Sequence, residues 1–192
     1  LEEILSAGGK IAMEYSPGGA LPRTSKVDAG TLEMVRRFGV EVVSSADLVQ
    51  FATQRWTSAQ LESHRKAALG LDRIVHDAFS HVGEQLGSGL NEYELAEFIR
   101  TRYQEEGLEA SDGPVVAVNQ HSSDPHFDPK PEGSALIETG DWLLIDLWAR
   151  LPDADAMYAD ITWTGFVGEK PGLRQREVFD IVTGARDAAL AE

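Results

Sequence analysis

Two aspartates carry the strongest chemical signal in this chain. Asp146 sits inside Leu143-Leu144-Ile145-Asp146-Leu147-Trp148, and Asp160 inside Tyr158-Ala159-Asp160-Ile161-Thr162-Trp163. Both runs read as strands, and a carboxylate in an apolar strand is costly without a partner or a metal ion. Between them, Leu151-Pro152-Asp153-Ala154-Asp155 is rich in turn formers. A hairpin tip centred on Asp153 makes Asp146 and Asp160 direct cross-strand partners. Such partners share a sheet face, with Cβ atoms about 4.5–5.5 Å apart. Like charges there repel, and a cation between them reverses the sign of that interaction. Oxygen ligands alone suit Mn, Mg or Ca, and Zn or Co when His joins the set. The bland alternative is that each Asp caps a turn or pairs with an Arg. By strand parity, Thr162 and Tyr158 fall on the Asp160 face as hydrogen-bonding neighbours. Trp142 and Trp148 fall on the Asp146 face, as walls of a pocket or as core packing.

The remaining chemistry-bearing residues are fewer. Of the five histidines, His64, His76 and His81 lie in one helical stretch. His76 and His81 are five residues apart and do not share a helix face well, so these three read as boundary or solvated residues. His121 and His126 lie in a Pro- and Asp-rich loop beside the strands, where functional residues concentrate. His121 reads equally as a loop residue bonded to backbone. No serine sits in a nucleophile elbow, and Gly18-Gly19 is not a phosphate loop. Glu105-Glu106 reads as a solvated helix end.

Composition narrows the classes. The 192 residues include no cysteine, which removes disulfides, thiolate metal sites and a Cys nucleophile. Lys plus Arg number 17 against 32 Asp plus Glu, a net charge of -15. That argues against nucleic-acid binding, which needs a basic face. No apolar run approaches the roughly 20 residues of a membrane span. With no signal peptide at its start, the chain reads as cytoplasmic.

The elements that must position the aspartates follow from periodicity. Lys10–Tyr15 is a short extended run; Asp28 caps a helix to Phe38; Val40–Val43 is a β-branched strand; and Ala46–Ala52 is a short helix. This alternation over residues 1–53 suggests the C-terminal part of an α/β domain, too short to bury a core by itself. A second unit covers residues 54–192. Thr57-Ser58-Ala59-Gln60 is a capping box for a long helix whose apolar face holds Leu61, Ala68, Leu71, Val75, Ala78 and Val82. Asn91-Glu92-Tyr93-Glu94 caps a second helix, with Leu95, Phe98, Ile99 and Tyr103 inward. Pro114–Val118, Ala135–Ile137, Trp142–Ala149 and Tyr158–Val167 read as strands. A last helix after Pro171-Gly172 runs to Glu192, with Val178, Ile181, Val182, Ala185 and Ala188 on its buried side. The second unit is α+β.

Leu144-Ile145-Asp146-Leu147 followed by Tyr158-Ala159-Asp160-Ile161-Thr162 resembles the first two metal ligands of the pita-bread metallopeptidases, in the aminopeptidase P, prolidase and creatinase branch. Pro125-His126-Phe127 sits where that family has its substrate-site histidine, and Gly140-Asp141 ahead of the strand is also family-like. Glu14-Tyr15-Ser16-Pro17 resembles the end of the domain preceding the catalytic one. The resemblance implies that residues 54–192 form the N-terminal half of a pita-bread domain. It implies peptide-bond hydrolysis at Xaa-Pro bonds by two divalent ions (Mn, Co or Zn), with Asp146 chelating and Asp160 bridging. His126 would contact substrate or transition state. The implied partner is a peptide with Pro at the second position, and the prolidase branch is commonly a homodimer. In the family, a His and two Glu complete the metal set in the second half of the domain. This chain, which starts at Leu1, is expected to be a piece open at both ends and poorly active alone. Trp163 stands where the common pattern has Arg after Thr, and the spacing between the aspartates is longer than is usual for prolidases. A creatinase-like hydrolase or lyase on the same scaffold, or a metal-free binding module, stays open.

Overall fold

Asp28 shows how the first elements form. In the computed structural model, which describes residues 9–20 and 22–191, its side chain accepts a hydrogen bond from the Thr31 N–H at 2.9 Å and another from the Thr31 hydroxyl at 2.6 Å. That caps helix α1, Ala29–Arg36. The short strands β1, Lys10–Met13, and β2, Glu41–Ser44, pair in parallel on either side of it in sequence. Helix α2, Ala46–Thr53, follows. Val35 and Val40 are buried here, with Ile11, Met13 and Val42 packed against them. The chain divides into two units, Leu1–Thr57 and Ser58–Glu192. Leu1–Gly8 and the final Glu192 of the expected terminal helix lie outside the described residues.

The second unit begins with helix α3, Ser58–Glu84. Its buried face holds Ala67, Leu71, Ile74, Val75, Ala78 and Val82. Leu61, expected on that face, is 38% exposed, because at 100° per residue it lies about a quarter-turn from the centre of that buried stripe. Helix α4, Glu92–Glu105, starts on a true capping box between Asn91 and Glu94. Strands β3, Val115–Val118, β4, Trp142–Ala149, and β5, Ala159–Phe166, form one antiparallel sheet in the order β3-β4-β5.

The central strand alternates cleanly. Leu143, Ile145, Leu147 and Ala149 are buried against α3 and α4, while Trp142, Leu144, Asp146 and Trp148 face away. Gly165 marks how closely α3 approaches β5: a Cβ there would stand 2.5 Å from Cε1 of Phe79.

Two expectations from the sequence need correction. Ala135–Ile137 is not a strand but a single antiparallel bridge, Asn91 to Leu136. Its backbone is used up by the residues that lead into α4: Ala135 O accepts from the N–H of Glu92, the first residue of that helix, and Ile137 N–H donates to Leu90 O. Helix α5, Leu173–Ala191, buries no residue. Ile181 is 67% exposed and Val182 61%. The expected buried stripe is apolar, but among the described residues it is approached by a single aromatic ring, that of Trp142, 6.3 Å from the ring of Phe179. Among the described residues, no helix is long and apolar enough to cross a membrane.

Candidate metal centre

The two aspartates share the outer face of the sheet, one diagonal step apart. Asp146 pairs with Thr162, and Asp160 pairs with Trp148. Direct opposition of the aspartates, expected from a tip at Asp153, is therefore corrected. The physical reason lies in the tip. Asp153 folds residues 151–156 into a local turn, with Asp155 N–H donating to its side chain at 2.9 Å and Ala156 N–H to its carbonyl at 3.0 Å. Arg150 leaves the hairpin to exchange backbone hydrogen bonds with Glu109. Met157 N–H and Tyr158 O are held from α3, by the Ser63 hydroxyl and His64 Nδ1. These outside contacts move the centre of the ladder by one residue and every pair by two. A shift of two preserves the side-chain face, so the carboxylates stay together, with Cβ atoms roughly 7 Å apart by sheet geometry.

The surroundings of the pair are asymmetric. Thr162 donates its hydroxyl to Asp146 Oδ1 at 2.6 Å, fixing that carboxylate. Asp160 is exposed, and among the described residues its carboxylate has no hydrogen bond or ion pair. Partial desolvation against the sheet face, and then the neighbouring Asp146 charge, push its carboxyl above the ordinary range. That repulsion is what a bound cation relieves, so the donors fit two of the oxygen ligands of a divalent ion. Among the described residues, no third His, Asp or Glu joins them in a group able to hold a metal.

Trp148 forms one border of this face. Its indole N–H donates to Asp112 Oδ1 at 2.9 Å. Its ring lies so close to Gly113 that a Cβ there would meet it at 2.6 Å. Tyr158 does not join the pair; its ring sits under the Arg150 guanidinium at 5.3 Å. Trp163, on the opposite face, meets the ring of His76 on α3 edge-on at 5.2 Å. His81 stacks on Phe98.

His126 is on an exposed loop, in an Asx turn made by its own N–H and Asp124 Oδ1 at 2.9 Å. Asp124, Phe127 and Lys130 border a shallow depression of about 220 Å³ beside it. Among the described residues, no hydrogen bond or ion pair connects His126 to either aspartate. The residue that sequence reasoning missed is Glu92. It is completely buried and binds His121. Its capping-box position drew attention to Asn91 and Glu94 instead, and only its neighbours in space reveal it.

The sequence model of a family described as metallopeptidase family M24 matches residues 62–192. Among solved structures, the prolidase from Pyrococcus furiosus is similar with a TM-score of 0.61 at 23% identity, covering 97% of this chain and 51% of that one. The X-Pro aminopeptidase from Thermotoga maritima MSB8 gives a TM-score of 0.60 at 24% identity, covering 99% of this chain and 50% of that one. A curated relative, the methionine aminopeptidase of Archaeoglobus fulgidus, is 25% identical over 109 residues, 57% of this chain and 36% of that protein. The chain thus spans about half the length of these two solved structures.

Proposed function

The chain belongs to metallopeptidase family M24, and from that premise we propose that its protein is a metal-dependent aminopeptidase or dipeptidase acting at Xaa-Pro bonds. The observation that carries this reading is the pair Asp146 and Asp160 on one open sheet face, one fixed by Thr162 and the other destabilised as an anion. Likeness to a prolidase and an X-Pro aminopeptidase supports the specificity. We assign residues 1–53 to the end of a preceding α/β domain and 54–192 to the first half of the catalytic domain. Asp146 and Asp160 would hold one or both of two divalent ions, and His126 would face the substrate. A metal ion held there would supply an activated water and polarise the scissile carbonyl.

The test is hydrolysis by the protein expressed from its full reading frame and loaded with Mn, Co or Zn. Release of the first residue from Xaa-Pro peptides, lost in Asp146→Asn and Asp160→Asn, is the expected result. Activity confined to peptides without Pro at the second position would overturn the specificity. The methionine aminopeptidase relative favours one such outcome, removal of an N-terminal Met, so Met-Ala peptides belong in the same assay. A C–N hydrolase or lyase would leave every peptide intact while the protein still bound metal. Absence of metal binding would leave the non-catalytic module.

A further inference from the structure

The carboxylate of Glu92 is fully buried, yet it takes no part in the proposed reaction. Its Oε1 accepts the Val118 N–H at 2.7 Å, and its Oε2 accepts the Ala135 N–H at 2.7 Å. His121 Nδ1 lies 2.9 and 3.0 Å from the two oxygens, within hydrogen-bonding distance of both. These three polar partners satisfy a carboxyl group that would otherwise be expensive to bury. Its place in the first turn of α4 adds the positive end of the helix.

Val118 ends β3 and Ala135 follows the loop that carries His126. One side chain therefore joins both ends of residues 119–134 and grips the first turn between them. From there a short relay reaches His126. The His121 ring stacks on Phe127, the next residue, with centroids 4.5 Å apart. The His121 carbonyl accepts the Asp124 N–H, and Asp124 accepts the His126 N–H. A second clamp refers the same loop to the strand bearing Asp146. Asn119, at a φ of 49°, donates to Asp141 Oδ1 at 2.8 Å and accepts from Trp142 N–H at 2.9 Å.

We propose that Glu92 is a positioning residue: acting through His121 and Phe127, it sets where His126 stands relative to the peptide. This rests on the peptidase reading above. A carboxylate serving only the core would leave the behaviour of His126 untouched.

The experiment uses the full-reading-frame protein, Mn-loaded, with Glu92→Gln, His121→Ala, His126→Ala and the double variant His121→Ala/His126→Ala. The His121 side chain is 27% exposed, so its truncation is informative even where Glu92→Gln fails to fold. Hydrogen exchange across residues 119–134 should rise in His121→Ala while Mn affinity holds. Its kcat/KM on an Xaa-Pro peptide should fall by up to about 10²-fold, the scale of a small misplacement of a catalytic group. In the His126→Ala background, the same truncation should cost less than about twofold, because the two residues act as a unit. Equal losses in both backgrounds, or unchanged loop exchange, would overturn the proposal. A wild-type protein inactive on every Xaa-Pro peptide refutes the peptidase reading, and with it the role in substrate positioning. Loop exchange then still reports whether Glu92 and His121 hold the loop.

Discussion

Asp160 stands across the hairpin from Trp148, and Asp146 from Thr162, so the two carboxylates meet on a diagonal. This gives Asp146 a hydroxyl neighbour that direct opposition would have denied it. The Thr162 hydroxyl orients one carboxylate, and hydrogen bonds that orient a ligand commonly contribute 10–100-fold to metal affinity or activity. Thr162→Val in the full-reading-frame protein should therefore weaken Mn binding by roughly that factor. Thr162→Ser should restore most of it. Calorimetric titration measures both, and equal affinity in the Val variant would show that the hydroxyl does not orient the ligand.

The alternation along β4 makes a sharp contrast available. Ile145 is fully buried against the helices, whereas Leu144 lies half-buried on the aspartate face. Ile145→Ala should cost about 2–5 kcal/mol, the range for deleting a buried aliphatic side chain. Leu144→Ala should cost markedly less. Urea unfolding of the 192-residue chain gives both values, and a reversed order would place the core on the wrong side of the sheet.

Gly165 tests the contact between α3 and β5. An added methyl group would meet the Phe79 ring at 2.5 Å. Gly165→Ala should destabilise by about 1–3 kcal/mol through overpacking. Phe79→Leu in the same chain should recover part of the loss, a non-additivity that a thermal unfolding cycle reads directly.

Glu106 supplies a pH dependence. Arg73 donates to its Oε2 at 2.6 Å, and that hydrogen bond holds the Glu106 carboxyl below its ordinary value of 4.5. A carboxylate with a lowered pKa stabilises the fold above its unfolded value, and the benefit disappears as pH falls through the folded one. Stability should accordingly drop below about pH 4.5. Glu106→Gln should flatten that part of the profile while changing little near neutrality, since such ion pairs contribute only about 0–1 kcal/mol.

The two aspartates predict weak binding by the 192-residue chain alone. With two carboxylates and no third ligand beside them among the described residues, it should bind Mn far less tightly than the protein from the full reading frame. Xaa-Pro hydrolysis by the chain should be correspondingly poor. Tight two-ion binding in calorimetry would contradict this.

Local pattern revealed much of the second unit. The bounds of β4 and the capping box of α4 follow from alternation and from residue type at fixed offsets. The shared face of the aspartates survived because parity depends on odd and even positions, not on the size of the tip. Their exact opposition did not, since Arg150, Met157 and Tyr158 are held by Glu109, Ser63 and His64, all distant in sequence. Periodicity likewise identified an apolar stripe on α5 but could not say what covers it. Glu92 was illegible for the same reason: a glutamate in a first helical turn usually meets solvent, and its three polar partners come from residues 118, 121 and 135.

Fastening a loop by both ends at one carboxylate separates its anchoring from its length. The entropy of closing a chain grows only logarithmically, so doubling the segment between Val118 and Ala135 would add about 0.6 kcal/mol. Residues could be inserted beyond Phe127 without loosening the Glu92 knot or shifting β4. The surface around His126 is thus free to be resized while the ladder carrying the carboxylates stays fixed.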